Sequence, residues 1–353
     1  MNSDNIKKIV CIIFLMMLNH NCSQPKKYAN MKWISKYDFY DLYQKNINGG
    51  FFPPGTGLNL KIFKFLDENT IFLAGSKDLH DFYNKSGDTA VLFVSNDRGK
   101  IYREITFPEE NVTSVNPAEK YTIVETNIKG YSTMGKNCIY LLDNMTLKYQ
   151  KIDEYSSNED KNYNQFDGKN VILSYNKSDK VINVFTKEEH ILPKYISELG
   201  YKLESDLKVV FLKDNQIIRY DIKNKKESII KKLNKGYDFL DYNNGDFLLA
   251  KSNFLKTQIT VYNENENELY IENKKTGKYY RYKNFACYYK ETRPYVTFCY
   301  SYDYGKTWYE YKTEKFFTTI TPKGYYKDKF MLLDVCFYDK KDKTNIMVGE
   351  FQK

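Results

Sequence analysis

The sequence predicts an all-β fold. Apolar runs of four to seven residues recur along it, rich in Val, Ile, Tyr and Phe, as in Thr70-Ile71-Phe72-Leu73-Ala74-Gly75, Val91-Leu92-Phe93-Val94 and Ile139-Tyr140-Leu141-Leu142. Clusters of Asn, Asp, Gly and Lys separate these runs at strand-and-turn spacing, about 8–12 residues. Helical patterning is confined to Tyr37–Tyr43 and to Tyr195–Leu199 after Pro193. With 42% hydrophobic residues, 34 Tyr and 23 Phe, the chain has the apolar matter that a disordered chain lacks.

At the N-terminus, Lys7 and Lys8 precede the apolar run Ile9–Leu18. Ten apolar residues fall short of the ~20 that cross a bilayer as a helix, and they suit the core of a secretory signal. The run ends at Asn19-His20-Asn21-Cys22-Ser23. This resembles a bacterial lipoprotein signal, in which the cysteine is acylated and becomes the mature N-terminus. Asn19 and Asn21 depart from the apolar and small residues usual there. The resemblance implies a signal peptide at 1–21, a lipid-attached tether at 22–30 with Cys22 as the modified residue, and a body on the periplasmic side of a bacterial envelope. A plain secretory signal is the alternative.

The body, 31–353, has no Pro/Gly-rich linker and is expected to be one domain. Further strand signals stand at Val171–Ser174, Val209–Leu212, Phe247–Ala250, Ile259–Tyr262 and Phe330–Leu333. Four cysteines remain after the signal: 138, 287, 299 and 336. The runs Phe285–Tyr289 and Tyr295–Tyr300 flank Glu291-Thr292-Arg293-Pro294. A hairpin centred near Arg293 sets Cys287 opposite Cys299 and allows a disulfide; two buried free thiols are the alternative.

Lys and Arg number 54 against 45 acidic residues, for a net charge of +9, yet only five are Arg: 98, 103, 219, 281 and 293. Scattered lysines are poorly suited to bidentate reading of phosphates or bases, so no nucleic-acid partner is expected.

Ser301-Tyr302-Asp303-Tyr304-Gly305-Lys306-Thr307-Trp308 is the most specific motif in the chain. Ser95-Asn96-Asp97-Arg98-Gly99-Lys100-Ile101-Tyr102 repeats it with Ile101 for Thr and Tyr102 for Trp, and residues 273–280 form a worn copy. Ser and Asp side chains tie down a tight turn, Gly takes a backbone angle other residues resist, and the aromatic packs against a sheet. The pattern Ser-x-Asp-x-Gly-x-Thr-Trp is similar to the Asp-box, or BNR repeat. That resemblance implies a β-propeller of about seven (six to eight) four-stranded blades, with the box between the third and fourth strands, away from the ligand face. Blade-like units are expected near 57–107, 121–152, 166–192, 207–231, 237–283, 285–319 and 324–351. Residues 31–48 are expected to add a strand to the last blade.

Asp-boxes occur in sialidases, whose chemistry implies three arginines around a carboxylate. Arg98 and Arg103 lie in or beside a box, which leaves Arg219, Arg281 and Arg293 as the one available set. His80 and His190 are expected as ordinary loop residues, and no zinc, nucleophile-elbow or phosphate-loop motif occurs. The carboxylate-rich turn Asn263–Glu268 is expected as a solvated hairpin tip. No cofactor, metal or catalytic residue is assigned. The expected function is non-enzymatic protein binding in the envelope, anchored by lipid. It resembles the periplasmic immunity lipoproteins that neutralise secreted antibacterial toxins and, more distantly, the propeller assembly factors of photosystem II. A glycan-binding or sialidase-like propeller is the rival.

Overall fold

The computed structural model describes residues 27–28, 30–38, 58–78, 88–128, 135–156, 159, 161–175, 178–204, 207–233, 238–243, 246–253, 256–263, 270–274, 279–292, 295–303, 305, 307–313, 317–337 and 343–352. Strands dominate them. A short helix, Lys194–Leu199, sits between Pro193 and Gly200 and buries Ile196. The helix expected at Tyr37–Tyr43 is corrected at its start, because Tyr37 lies in a strand; residues 39–43 are outside the described set.

Seven sheets follow one another along the chain: sheet I (58–106), II (111–156), III (161–191), IV (201–232), V (238–274), VI (279–312) and VII (317–351). In I to VI, four consecutive strands pair antiparallel with their chain neighbours. Sheet VII contributes three strands of its own and takes its fourth, Met31–Asp38, from the other end of the chain, paired antiparallel with Lys343–Phe351. Sheet VI gains a fifth, parallel strand, Lys27–Tyr28, beside Tyr309 and Glu310. Successive four-stranded up-and-down sheets of this kind are the repeating unit of β-propellers.

Among the described residues, packing runs from sheet VI through VII and I to sheet V. Phe72 and Leu92 of sheet I share a core with Val124 and Leu142 of sheet II. Ile139 joins Val171 across II and III, Ile172 joins Phe211 across III and IV, and Ile217 joins Phe247 across IV and V. Tyr300 of sheet VI packs with Leu333 of VII, and Phe330 of VII packs with Phe93 of I. Burying such rings and branched side chains contributes about 1.5–3 kcal/mol each. From sheet VII through I to V, the first strands of neighbouring sheets approach one another.

This order gives the molecule two ends. The first–second and third–fourth turns gather at one end; the second–third connections and the links between sheets gather at the other. Short hydrogen-bonded turns build the first end. Asp67 Oδ1 accepts from the amides of Asn69 and Thr70, and Asp167 Oδ1 accepts from those of Lys169 and Asn170.

Candidate functional site

Both full-length boxes lie between third and fourth strands, in sheets I and VI, and share one geometry. Ser95 Oγ donates to Asp97 Oδ1 at 2.8 Å and accepts the Gly99 amide at 2.8 Å. Ser301 Oγ does the same with Asp303 and Gly305 at 2.8 Å each. Asp97 Oδ1 also accepts from Lys100 and Ile101, and Asp303 Oδ1 from the Thr307 amide. Gly99 and Gly305 sit at φ 79° and 82°, a region costly for residues with a Cβ. Burial pulls the Asp97 carboxyl up, but the amides of Ile101 and Lys100 and the Ser95 hydroxyl outweigh it and hold the group below its ordinary range.

The first box also braces a neighbouring sheet. Ser35 Oγ donates to the Arg98 carbonyl at 2.7 Å, and a Cβ on Gly99 would stand 2.8 Å from the Tyr102 hydroxyl and 3.1 Å from Val348. Tyr102 is buried in the core between sheets I and VII. Trp308 is half-buried, edge-on to Tyr288 at 5.0 Å. The worn copy at 273–280 is corrected. It spans the end of one sheet and the start of the next, where no third–fourth turn exists, and residues 275–278 are outside the described set.

Three other third–fourth turns share a device that the motif search missed. Asp143 Oδ1 accepts from Met145 and Thr146, Asn183 Oδ1 from Phe185 and Thr186, and Asp221 Oδ1 from Asn224. Each turn then places a non-glycine residue in the left-handed region: Leu147, Lys187 and Lys225. The legible signal was an Asx residue followed three positions later by Thr or Asn.

The hairpin expected around Arg293 forms, but its register corrects the disulfide. Thr292 pairs with Tyr295 across a two-residue turn, so Cys287 faces Tyr300 and Cys299 faces Tyr288. One residue of slip puts the two thiols on opposite faces of the sheet. Cys138, Cys287 and Cys299 are buried free thiols. Burial, then the Cys299 charge, pushes the Cys287 thiol well above its usual value. Cys22 lies outside the described residues.

Of the three arginines, Arg219 sits on the third strand of sheet IV and Arg281 on the first strand of VI, while Arg293 lies outside the described residues. The Arg219 guanidinium is clamped by Glu204, with Nε 2.6 Å from Oε2 and an Nη 2.9 Å from Oε1. Arg98 is held at the box end by Asn69 and lies over the Phe330 ring.

At the end away from the boxes, second–third connections differ sharply. Sheets III, IV, V and VI close with two-residue turns, at Tyr175/Ser178, Lys213/Gln216, Asn253/Lys256 and Thr292/Tyr295. Sheets VII, I and II, which are neighbours, are connected by longer segments at 338–342, 79–87 and 129–135, and the link from Asp38 to Leu58 departs from the same side. Toward the same strand ends lie carboxylates bonded to hydroxyls, of which Glu109 and Glu125 are buried and Asp153 is half-buried. Glu109 accepts from Thr126 Oγ1 at 2.8 Å and from the Tyr140 hydroxyl at 2.9 Å, bridging sheets I and II. Glu125 accepts from Tyr155, and Asp153 accepts from Tyr163 and Lys161 between II and III. Burial raises the Glu125 carboxyl, with the Tyr155 hydrogen bond opposing. Cys138 is pushed up to about 12 by burial and by Glu109. Among the described residues no three His, Cys, Asp or Glu converge as a metal site, and no helix is long and apolar enough to cross a membrane.

No family model matches the chain, and no curated protein matches it. Among solved structures it is similar to the β-propeller domain of the Trilobed protease from Pyrococcus furiosus, at 12% identity over 81% of this chain and 96% of that one, with a TM-score of 0.49. It is similar to TolB from Acinetobacter baumannii at 13% identity over 69% and 64%, TM-score 0.39, and to the WD40 domain of SCAP from fission yeast at 10% over 84% and 95%, TM-score 0.41.

Proposed function

We propose that the seven sheets close into one ring, and that this ring is a non-enzymatic, lipid-tethered envelope protein that binds another protein through the end opposite the boxes. The observation that carries the reading is the grouping of longer connections on sheets VII, I and II at that end. Insertions clustered on one face of a repeat fold are the ordinary way such a scaffold acquires a binding surface. The segments supply Phe39, Tyr40, Tyr43, Phe51, Phe52, Phe82, Tyr83 and Tyr131, side chains of the kind that anchor interfaces. A secreted toxin held by an immunity lipoprotein is the finer version of this reading.

The sialidase alternative is disfavoured by Arg219, whose fork is already filled by Glu204, and by sheet V, which lies in the chain between it and Arg281. No turnover of a fluorogenic sialoside is expected. The test is to replace residues 79–87 with an Asn-Gly turn and compare co-purification from the native envelope. A variant that melts like the parent and loses a specific partner supports the reading. Retention of that partner at parental levels overturns it.

A further inference from the structure

We infer that the box end faces an anionic lipid bilayer and touches it through the turn tips of sheets I, II and III. Ile101, Met145 and Phe185 are 66%, 84% and 46% exposed, and each lies in the third–fourth turn of its sheet. Met145 and Phe185 hold the same place in their turns, two residues after the Asx that caps it. Single exposed apolar residues are ordinary, but the same position repeated on neighbouring sheets makes a patterned surface. Phe185 leans on the Tyr121 ring at 5.1 Å, and Lys120 lies over that ring at 5.1 Å.

The charges at these turns are sorted. Asp97 and Asp143 direct their carboxylates inward onto backbone amides. Lys100, Lys120, Lys148 and Lys187 are exposed around the apolar tips, against exposed Glu119 and Glu188. In sheet IV, Lys223 takes the place of Met145 and Phe185 and extends the basic rim. Apolar tips within a basic rim suit the interface of an anionic membrane.

The entry of the chain points the same way. Lys27 pairs with Tyr309, the first residue after the second box, and Met31 begins its strand opposite Phe351, so the N-terminal segment arrives at the box end. The five residues from Cys22 to Lys27 reach at most about 17 Å. This part rests on the reading of Cys22 as the lipid anchor; with it, the partner-binding end points away from the bilayer.

The experiment places a nitrobenzoxadiazole probe on Met145→Cys or Ile128→Cys in the full acylated chain. Ile128 is exposed at the opposite end of sheet II. The protein is reconstituted in phosphatidylethanolamine–phosphatidylglycerol vesicles containing nitroxide lipid. Position 145 is expected to lose most of its fluorescence and position 128 to keep it; equal quenching, or the reverse, overturns the orientation. Separately, Cys22→Ser protein should sediment with phosphatidylglycerol vesicles in a salt-sensitive way, about tenfold more weakly once Ile101, Met145 and Phe185 are all serine. Undiminished binding by that variant, or equal binding to neutral vesicles, overturns the surface. Loss of a protein partner with vesicle binding unchanged marks a protein interface and also overturns it. Acylation of Cys22 is read independently by palmitate labelling, so failure of the tether and failure of the surface remain distinguishable.

Discussion

Asp97 and Asp303 each close a turn by drawing several donors onto one oxygen. Asp97→Ala removes those acceptors and should cost about 1–2 kcal/mol in chemical denaturation, with any binding by the folded fraction intact. Because the folded carboxyl sits below its unfolded value, its contribution is present above pH ~4 and fades as pH falls through the folded value. Asp97→Asn should therefore show a shallower acid limb of melting temperature against pH. Glu125 has the opposite sign, since burial raises it. Its contribution is full below the unfolded value and is lost as pH rises through the folded one. Glu125→Gln should then melt at or above the parent at pH 7, and a large fall in melting temperature there would contradict the assignment. At Lys187, φ of 63° stores strain that Gly relieves, so Lys187→Gly should stabilise by up to about 1 kcal/mol in a urea titration.

The Phe285–Ser301 hairpin shows how an element can be foreseen and its faces still be misassigned. Thr292/Tyr295 pairing fixes the turn at Arg293-Pro294, and a half-residue error in the centre exchanges every side chain between faces. Cys287 and Cys299 should thus stay unreactive to a thiol reagent until the protein unfolds, and reductant should leave the melting temperature unchanged. A melt that drops with reductant would restore the disulfide. Strand legibility followed the same physics. Second and third strands such as Tyr121–Ile128 and Lys136–Asp143 are buried on both faces over their middle residues and read as apolar runs. First strands such as Lys161–Phe166 and Tyr201–Glu204 mix polar residues with a few rings and carry almost no apolar signal. The expected units therefore began one strand late in sheets II, III and IV. The boxes were legible because fixed polar residues at fixed spacing leave a pattern. The uneven lengths of the second–third connections were in the sequence as well, but they acquired meaning when the strand pairing put three of them side by side.

At the scale of the molecule, Met31–Asp38 joins three sheets. It pairs with sheet VII; Trp33 meets Tyr311 of sheet VI at 6.2 Å; and Tyr37 meets Tyr102 of sheet I at 4.9 Å. Deleting residues 31–38 should cost several kcal/mol, given the buried rings and the lost ladder, and should broaden the thermal transition measured by calorimetry. An unchanged, sharp transition would show that the strand is dispensable. The arrangement also sets a clock on biosynthesis. Met31–Asp38 is synthesised before sheets I to VI, and its partner Lys343–Phe351 after them. Sheets I to VI can each assemble as their own strands emerge, while Met31–Asp38 stays without its ladder until sheet VII has been made. During that interval Met31–Asp38 is an unpaired edge, and when the full chain refolds Lys343–Phe351 is one as well until the two meet, both open to pairing with another copy. Refolding yield should accordingly fall with protein concentration, and an added peptide of residues 31–38 should restore it.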